Sequence, residues 1–213
     1  MSKQVWLVFV SLLAVGATAI SAPASSATTV HEKSLSGPTY SGNIKAVSDG
    51  NLFISAVRFN TLKGDIECSR LELDGALEST GKGKFTAASF TNSGGGSECN
   101  TTFSPAGTKA IVSPNLSLLP WPIKITYIKA FEIPMEISGT SVVGLKVEFP
   151  SSKLECKYEA ASGKLNGSWK NDSEFVTSSE EFVLSSGGKG CPREGELEEL
   201  VFATVPTELV IGP

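Results

Sequence analysis

The sequence has little of what common catalytic sites need, since it contains one histidine, His31, in 213 residues. Serine–histidine and cysteine–histidine catalysis and multi-histidine zinc sites all require positioned imidazoles, which a lone histidine near the start does not supply. Cations are not in excess either: 18 Lys and Arg face 22 Asp and Glu, for a net charge of −4. Because nucleic-acid binding depends on clustered cations, we expect no nucleic-acid partner.

Long apolar runs are also scarce, and the one at 5–20 lies close to the first residue. It follows Lys3 and precedes the small residues of 21–27. This order is typical of a secretory signal peptide, and the run is shorter than the roughly 20 residues of a membrane span. We therefore expect a signal peptide at 1–27 and a mature chain without a membrane span, which is secreted or held in the cell envelope.

Paired C-x-x-C motifs, which structural zinc sites usually contain, are absent. The four cysteines are Cys68, Cys99, Cys156 and Cys191. An even number of cysteines in an exported chain indicates disulfide bonds. Four cysteines allow three pairings, and their count does not choose among them. No glycine-rich phosphate loop opens a helix, and we expect neither a metal nor a cofactor.

Two stretches of the chain share the spacing of several residues around their cysteines. The matched pairs are Cys68 and Cys156, Gly75 and Gly163, Leu77 and Leu165, Phe90 and Phe182, Cys99 and Cys191, and Pro114 and Pro206. This agreement predicts an internal duplication, with β repeat units at 28–118 and 119–213. A single ancestral unit had only its own two cysteines, so duplication predicts the disulfides Cys68–Cys99 and Cys156–Cys191.

The residues that are present favour strands, because apolar and polar side chains alternate through 123–127, 131–137 and 145–149. The alternation places Phe131 on the same half-buried face as Ile133 and Met135. Pro134 cannot donate to a ladder, which predicts an edge strand or a bulge there. The sequence predicts an all-β, mainly antiparallel fold of two tandem, related, sandwich-like halves with one disulfide each. These are either two small domains or one larger sandwich.

Carboxylates are the only abundant side chains with catalytic chemistry. A glycosidase needs two of them about 5–10 Å apart across a cleft. Glu67 and Glu155 match between the repeats, and Glu132 and Glu136 lie on one face of a predicted strand. Glutamates at alternate strand positions are more often a solvated face, so we expect that the protein is not an enzyme. The acidic segment 194–199 is interpreted in the same way, as a solvated turn.

Trp169 is the one residue that the sequence singles out for a binding role. It lies in a Gly-Ser-Trp-Lys-Asn segment rich in turn residues and has no counterpart in the first repeat. We expect Trp169 to be more exposed than Trp121, which is flanked by two prolines and is expected to fill the boundary between the halves. An exposed tryptophan stacks on sugars or anchors a protein partner.

Three features together carry a resemblance: the signal peptide, Leu119-Pro120-Trp121 between two cysteine-bearing β units, and Cys191-Pro192 after a Ser/Gly loop. In these features the chain resembles uncharacterised secreted β-rich proteins of actinobacteria. The resemblance implies export and a β fold, and it implies no activity.

These observations favour a secreted, non-enzymatic binding or structural module whose partner is an extracellular protein or a glycan. Two alternatives remain open at the level of sequence, a secreted hydrolase that uses carboxylates and a carrier of a small ligand. A cleft with converging glutamates would favour the hydrolase, and a closed apolar cavity would favour the carrier. A surface with exposed aromatic side chains would favour the binding module.

Overall fold

In the computed structural model, the segments with alternating polar and apolar residues form strands along most of the chain. The structure describes residues 27–48, 52–59, 62–92, 94–102, 109–138, 142–170, 173–206 and 208–213. The predicted signal peptide lies outside these residues except for Ala27. Within the described residues no helix is long and apolar enough to cross a membrane.

Regular structure in the described residues consists of 18 strands and one short 3₁₀ helix, Leu116–Leu118. The strands are β1 Thr29–Glu32, β2 Gly42–Ser48, β3 Leu52–Phe59, β4 Leu62–Cys68, β5 Arg70–Leu77, β6 Lys82–Thr91, β7 Glu98–Thr101, β8 Lys109–Pro114, β9 Trp121–Ile125, β10 Pro134–Ser138, β11 Gly144–Phe149, β12 Leu154–Ala160, β13 Lys164–Lys170, β14 Glu174–Thr177, β15 Glu180–Gly187, β16 Glu194–Leu197, β17 Leu200–Val205 and β18 Leu209–Gly212. All their pairings are antiparallel.

Sixteen of these strands form two closed barrels of eight strands each. The first barrel has the order β2-β5-β6-β9-β10-β13-β14-β17, and the second has the order β3-β4-β7-β8-β11-β12-β15-β16. The chain therefore passes back and forth eight times, and every pass contributes one strand to each barrel. Two passes that are neighbours in one barrel are also neighbours in the other. The barrels are therefore stacked end to end around one continuous apolar core.

The expected all-β, antiparallel fold with one disulfide in each half is confirmed. Both barrels take strands from 28–118 and from 119–213, so the halves interlock within one body. The duplication stays a prediction. One matched pair occupies different places, because Leu77 ends β5 whereas Leu165 lies at the start of β13. Pro134 is the first residue of β10, a position that proline tolerates even though a closed barrel has no edge strand.

Both predicted disulfides are present, and both lie in the second barrel. Cys68–Cys99 joins β4 to its neighbour β7, and Cys156–Cys191 joins β12 to the turn between β15 and β16. Within the described part of the chain there is no free cysteine.

A two-stranded sheet of β1 and β18, called the lid here, closes the outer end of the first barrel. Val30, Leu209 and Ile211 are fully buried beneath it. Hydrogen bonds attach the lid to the barrel turns: the Val30 amide donates to the Ser79 carbonyl at 2.8 Å, and the Leu209 amide donates to the Ser173 side-chain hydroxyl at 2.6 Å. Because the lid buries apolar side chains, it extends the core of the barrel.

Candidate functional site

Trp169 is not at the surface, and the expectation that it is more exposed than Trp121 is wrong. Both side chains are only 2 % exposed. Trp169 belongs to β13 rather than to a turn, and its ring stacks on Phe175 with centroids 6.0 Å apart. The pairing of β13 with β14 places the two rings side by side inside the first barrel. A ring buried in this way cannot stack on an external sugar, and we assign Trp169 to the core.

The matched glutamates Glu67 and Glu155 lie half a turn apart around the second barrel. Glu67 is on β4 and Glu155 is on β12, and three strands separate β4 from β12 in either direction. Their neighbours Cys68 and Cys156 are buried, so both glutamates face outwards. They do not form the pair across a cleft that the hydrolase alternative requires.

The other glutamates on the predicted strand are each paired with a lysine. The Glu132 carboxylate lies 2.8 Å from the Lys129 ammonium, and that of Glu136 lies 2.7 Å from the Lys164 ammonium. Glu132 also precedes β10 instead of lying on it. The two carboxylates therefore do not share the strand face on which the sequence placed them.

The acidic segment 194–199 forms a strand rather than a turn over its first four residues. Glu194 and Glu196 lie on the exposed side of β16, whereas Gly195 and Leu197 face the core. Nowhere in the described ranges do three or more histidine, cysteine, aspartate or glutamate side chains gather as metal ligands would.

Among the cavities lined by described residues, two lie inside the barrels, and each of these has a volume of about 20 Å³. One lies between the barrels and is lined by residues of both, among them Leu71, Trp121, Leu145 and Phe182. A cavity of this size holds roughly one water molecule, whereas ligand pockets measure about 300–1,000 Å³. Neither cavity could hold the ligand of the carrier alternative.

The loop between β9 and β10 presents the most exposed apolar side chain of the described residues. Phe131 is 99 % exposed and Ile128, three residues earlier, is 53 % exposed. We call residues 128–132 the tip. The tip is a tight turn in which the Glu132 amide donates to the Lys129 carbonyl at 3.0 Å and the Ile128 amide donates to the Glu132 carbonyl at 3.2 Å. Phe131 has a φ of 68°, in the left-handed region that residues other than glycine rarely adopt.

Both sides of the tip are attached firmly to the first barrel. The Tyr127 amide donates to the Thr28 hydroxyl at 2.8 Å, just before the lid strand β1. On the other side, Ile133 is buried, and its carbonyl accepts a hydrogen bond of 2.8 Å from the Trp169 amide. The tip therefore projects Phe131 from an ordered base, at the same end of the barrel as the lid.

Lysines surround the base of the tip. Lys124 on β9 lies directly opposite Lys82 on β6, and Lys170 ends β13, which pairs with β10 on the other side of the tip. No ion pair within the described ranges involves any of these three. Lys129, in the tip, is hydrogen-bonded to Glu132, which raises the pKa of its ammonium group above the usual range. Like charges directly opposite each other destabilise a sheet, so the Lys82–Lys124 pair is unfavourable, whereas Glu136 on the other side of Lys124 has the opposite charge.

The sequence did not reveal the tip, because it placed Phe131 on a buried face with Ile133. In the structure β10 begins only at Pro134, and the alternation that seemed to start at Phe131 crosses a turn. The turn contains neither glycine nor proline, the residues that usually mark one. The sequence feature that indicates this turn is Lys129-Ala130, two residues without β preference between two apolar strands.

No protein-family model, curated protein or solved structure matches this chain. The exposed apolar side chains of the tip are not accounted for by packing of the core.

Proposed function

We propose that this protein is an exported, non-catalytic binding module, and that it docks on a partner at the cell envelope or outside the cell through the tip. The two disulfides support a location outside the cytosol, since such bonds persist in oxidising compartments. The signal peptide expected at 1–27 supports export. The observation that carries the proposal is the almost complete exposure of Phe131 on an anchored turn.

The energetics of the tip favour a binding role over a structural one. A phenylalanine in the core stabilises a protein by about 1.5–3 kcal/mol, and Phe131 contributes none of this to folding because it contacts almost nothing. Its left-handed backbone costs further free energy. Burial of Phe131 against a partner recovers the free energy of removing its ring from water. Aromatic anchors of this kind dominate many interfaces.

Retention on cell envelopes tests the proposal. The exported protein is incubated with envelopes of the producing cells, and the bound fraction is compared with that of the double variant Ile128→Ser, Phe131→Ser. Leu116→Ser is the matched control, since Leu116 is 75 % exposed in the 3₁₀ helix between β8 and β9. We expect the wild type and the control to be retained and the tip variant to be released.

Equal retention of all three proteins would contradict docking through the tip. Release of the Leu116 variant together with the tip variant would point to general surface hydrophobicity and would also count against the proposal.

A further inference from the structure

The shape of the tip limits the kind of partner that it can meet. A side chain that is 99 % exposed is convex and offers no pocket, so the partner must receive it. Sugars are held by an aromatic face together with polar side chains that fix their orientation, and the two charged side chains of the tip, Lys129 and Glu132, are paired with each other. A lipid bilayer accepts a convex apolar group without a complementary shape.

Three lysines near the tip form no ion pair within the described ranges, which leaves their charges available to an anionic surface. Lys82 and Lys124 lie on neighbouring strands at the outer end of the first barrel, and Lys170 lies at the end of β13. The nearby carboxylates are Glu132, paired with Lys129, Glu136, which lies opposite Lys124 and is paired with Lys164, Glu174, which lies opposite Lys170, and Glu78 in the turn before β6. Long lysine side chains at the edge of an apolar tip reach phosphate headgroups while the tip enters the acyl boundary.

The charges on the strands of the two barrels point the same way. Strands of the first barrel carry seven Lys or Arg and four Asp or Glu, and those of the second barrel carry five and ten. An anionic surface attracts the first barrel and repels the second. This asymmetry orients the molecule with the tip towards the surface.

We infer that the partner of the tip is an anionic lipid surface, in which Ile128 and Phe131 insert while Lys82, Lys124 and Lys170 contact the headgroups. The inference rests on the proposed function and names its partner. A protein or a glycan as the partner is an outcome of the test below.

Vesicle sedimentation tests the inference on the exported protein. Vesicles of equimolar phosphatidylglycerol and phosphatidylcholine should bind it, and vesicles of phosphatidylcholine alone should bind it at least about fivefold more weakly, because one lysine near an anionic surface already contributes about fivefold. Phe131→Ser should weaken binding by about tenfold or more. Free glycerol phosphate should not displace the protein, since it offers headgroup chemistry without an apolar layer.

A matched pair of lysine variants tests the orientation. Lys124→Gln should lower the affinity for anionic vesicles by roughly fivefold. Lys153→Gln removes the same charge in the turn between β11 and β12, at the far end of the second barrel, and should leave the affinity nearly unchanged. Equal losses in both variants would overturn the orientation that we infer.

Insertion is tested directly with Phe131→Trp. The emission of the indole introduced at the tip should shift to shorter wavelength with anionic vesicles, while the buried Trp121 and Trp169 provide a constant background. Absence of both the shift and vesicle binding would overturn the lipid inference. If envelope retention still depended on the tip in that case, the proposed function would stand with a protein or glycan partner. If retention failed as well, both would fall.

Discussion

At the scale of single residues, Trp169 shows how a buried ring differs from the surface anchor that its sequence context suggested. Trp169 stacks on Phe175, which stacks in turn on Phe202 with centroids 4.6 Å apart. Trp169→Ala should therefore lower the free energy of unfolding by about 3–5 kcal/mol. Trp169→Phe should cost much less, since the indole nitrogen finds no hydrogen-bond partner in the described chain. Urea denaturation of both variants checks this, and a loss below about 1 kcal/mol for the alanine variant would contradict the packing role.

Phe131 should behave in the opposite way when its stability is measured. Phe131→Gly removes no packing, because the ring is almost fully exposed, and it relieves a left-handed backbone with a φ of 68°. We expect the free energy of unfolding to stay the same or rise by up to about 1 kcal/mol, while docking is lost. Urea melts together with envelope retention give the two readouts. A clear loss of stability would show that the fold requires Phe131.

At the scale of elements, the strand content could be predicted from the sequence, because alternation is a local property. It placed β9 and β11 within a few residues of their observed bounds. The closure of the barrels could not be predicted, since it depends on pairings such as β17 with β2, which are far apart in the chain. Local patterns also misplaced Phe131 and Trp169. Whether an apolar residue near a turn faces the core is decided by the register with the neighbouring strand, as in Trp169 opposite Phe175.

The lid is an element whose stabilising effect comes from one face of β18. Leu209 and Ile211 are fully buried, and Val210 between them is half-buried on the opposite side. Leu209→Ala and Ile211→Ala should each cost about 2–5 kcal/mol. Val210→Ala, the control on the same strand, should cost about 1 kcal/mol or less, because it leaves no enclosed cavity. Thermal melts of the three variants compare the two faces. Similar losses in all three would show that the strand contributes through its backbone pairing with β1 alone.

At the scale of the whole molecule, the two barrels share passes of the chain and one core. Leu71 and Trp121 of the first barrel and Leu145 and Phe182 of the second line the same small cavity. Because each pass supplies one strand to each barrel, unfolding of a pass in one barrel also disrupts the other barrel. We therefore expect the barrels to fold and unfold together, in a single transition.

The disulfides and the tryptophans lie in different barrels, which allows this cooperativity to be tested. Both disulfides are in the second barrel, and Trp121 and Trp169 are in the first, on β9 and β13. Replacing Cys68 and Cys99 by serine should lower the free energy of unfolding by about 3.5–4 kcal/mol, the chain-entropy value for a loop of this length. If the barrels are coupled, the midpoint seen by tryptophan fluorescence falls by as much as the midpoint seen by circular dichroism. A fluorescence midpoint that stays in place while circular dichroism gains an earlier step would show that the second barrel unfolds by itself.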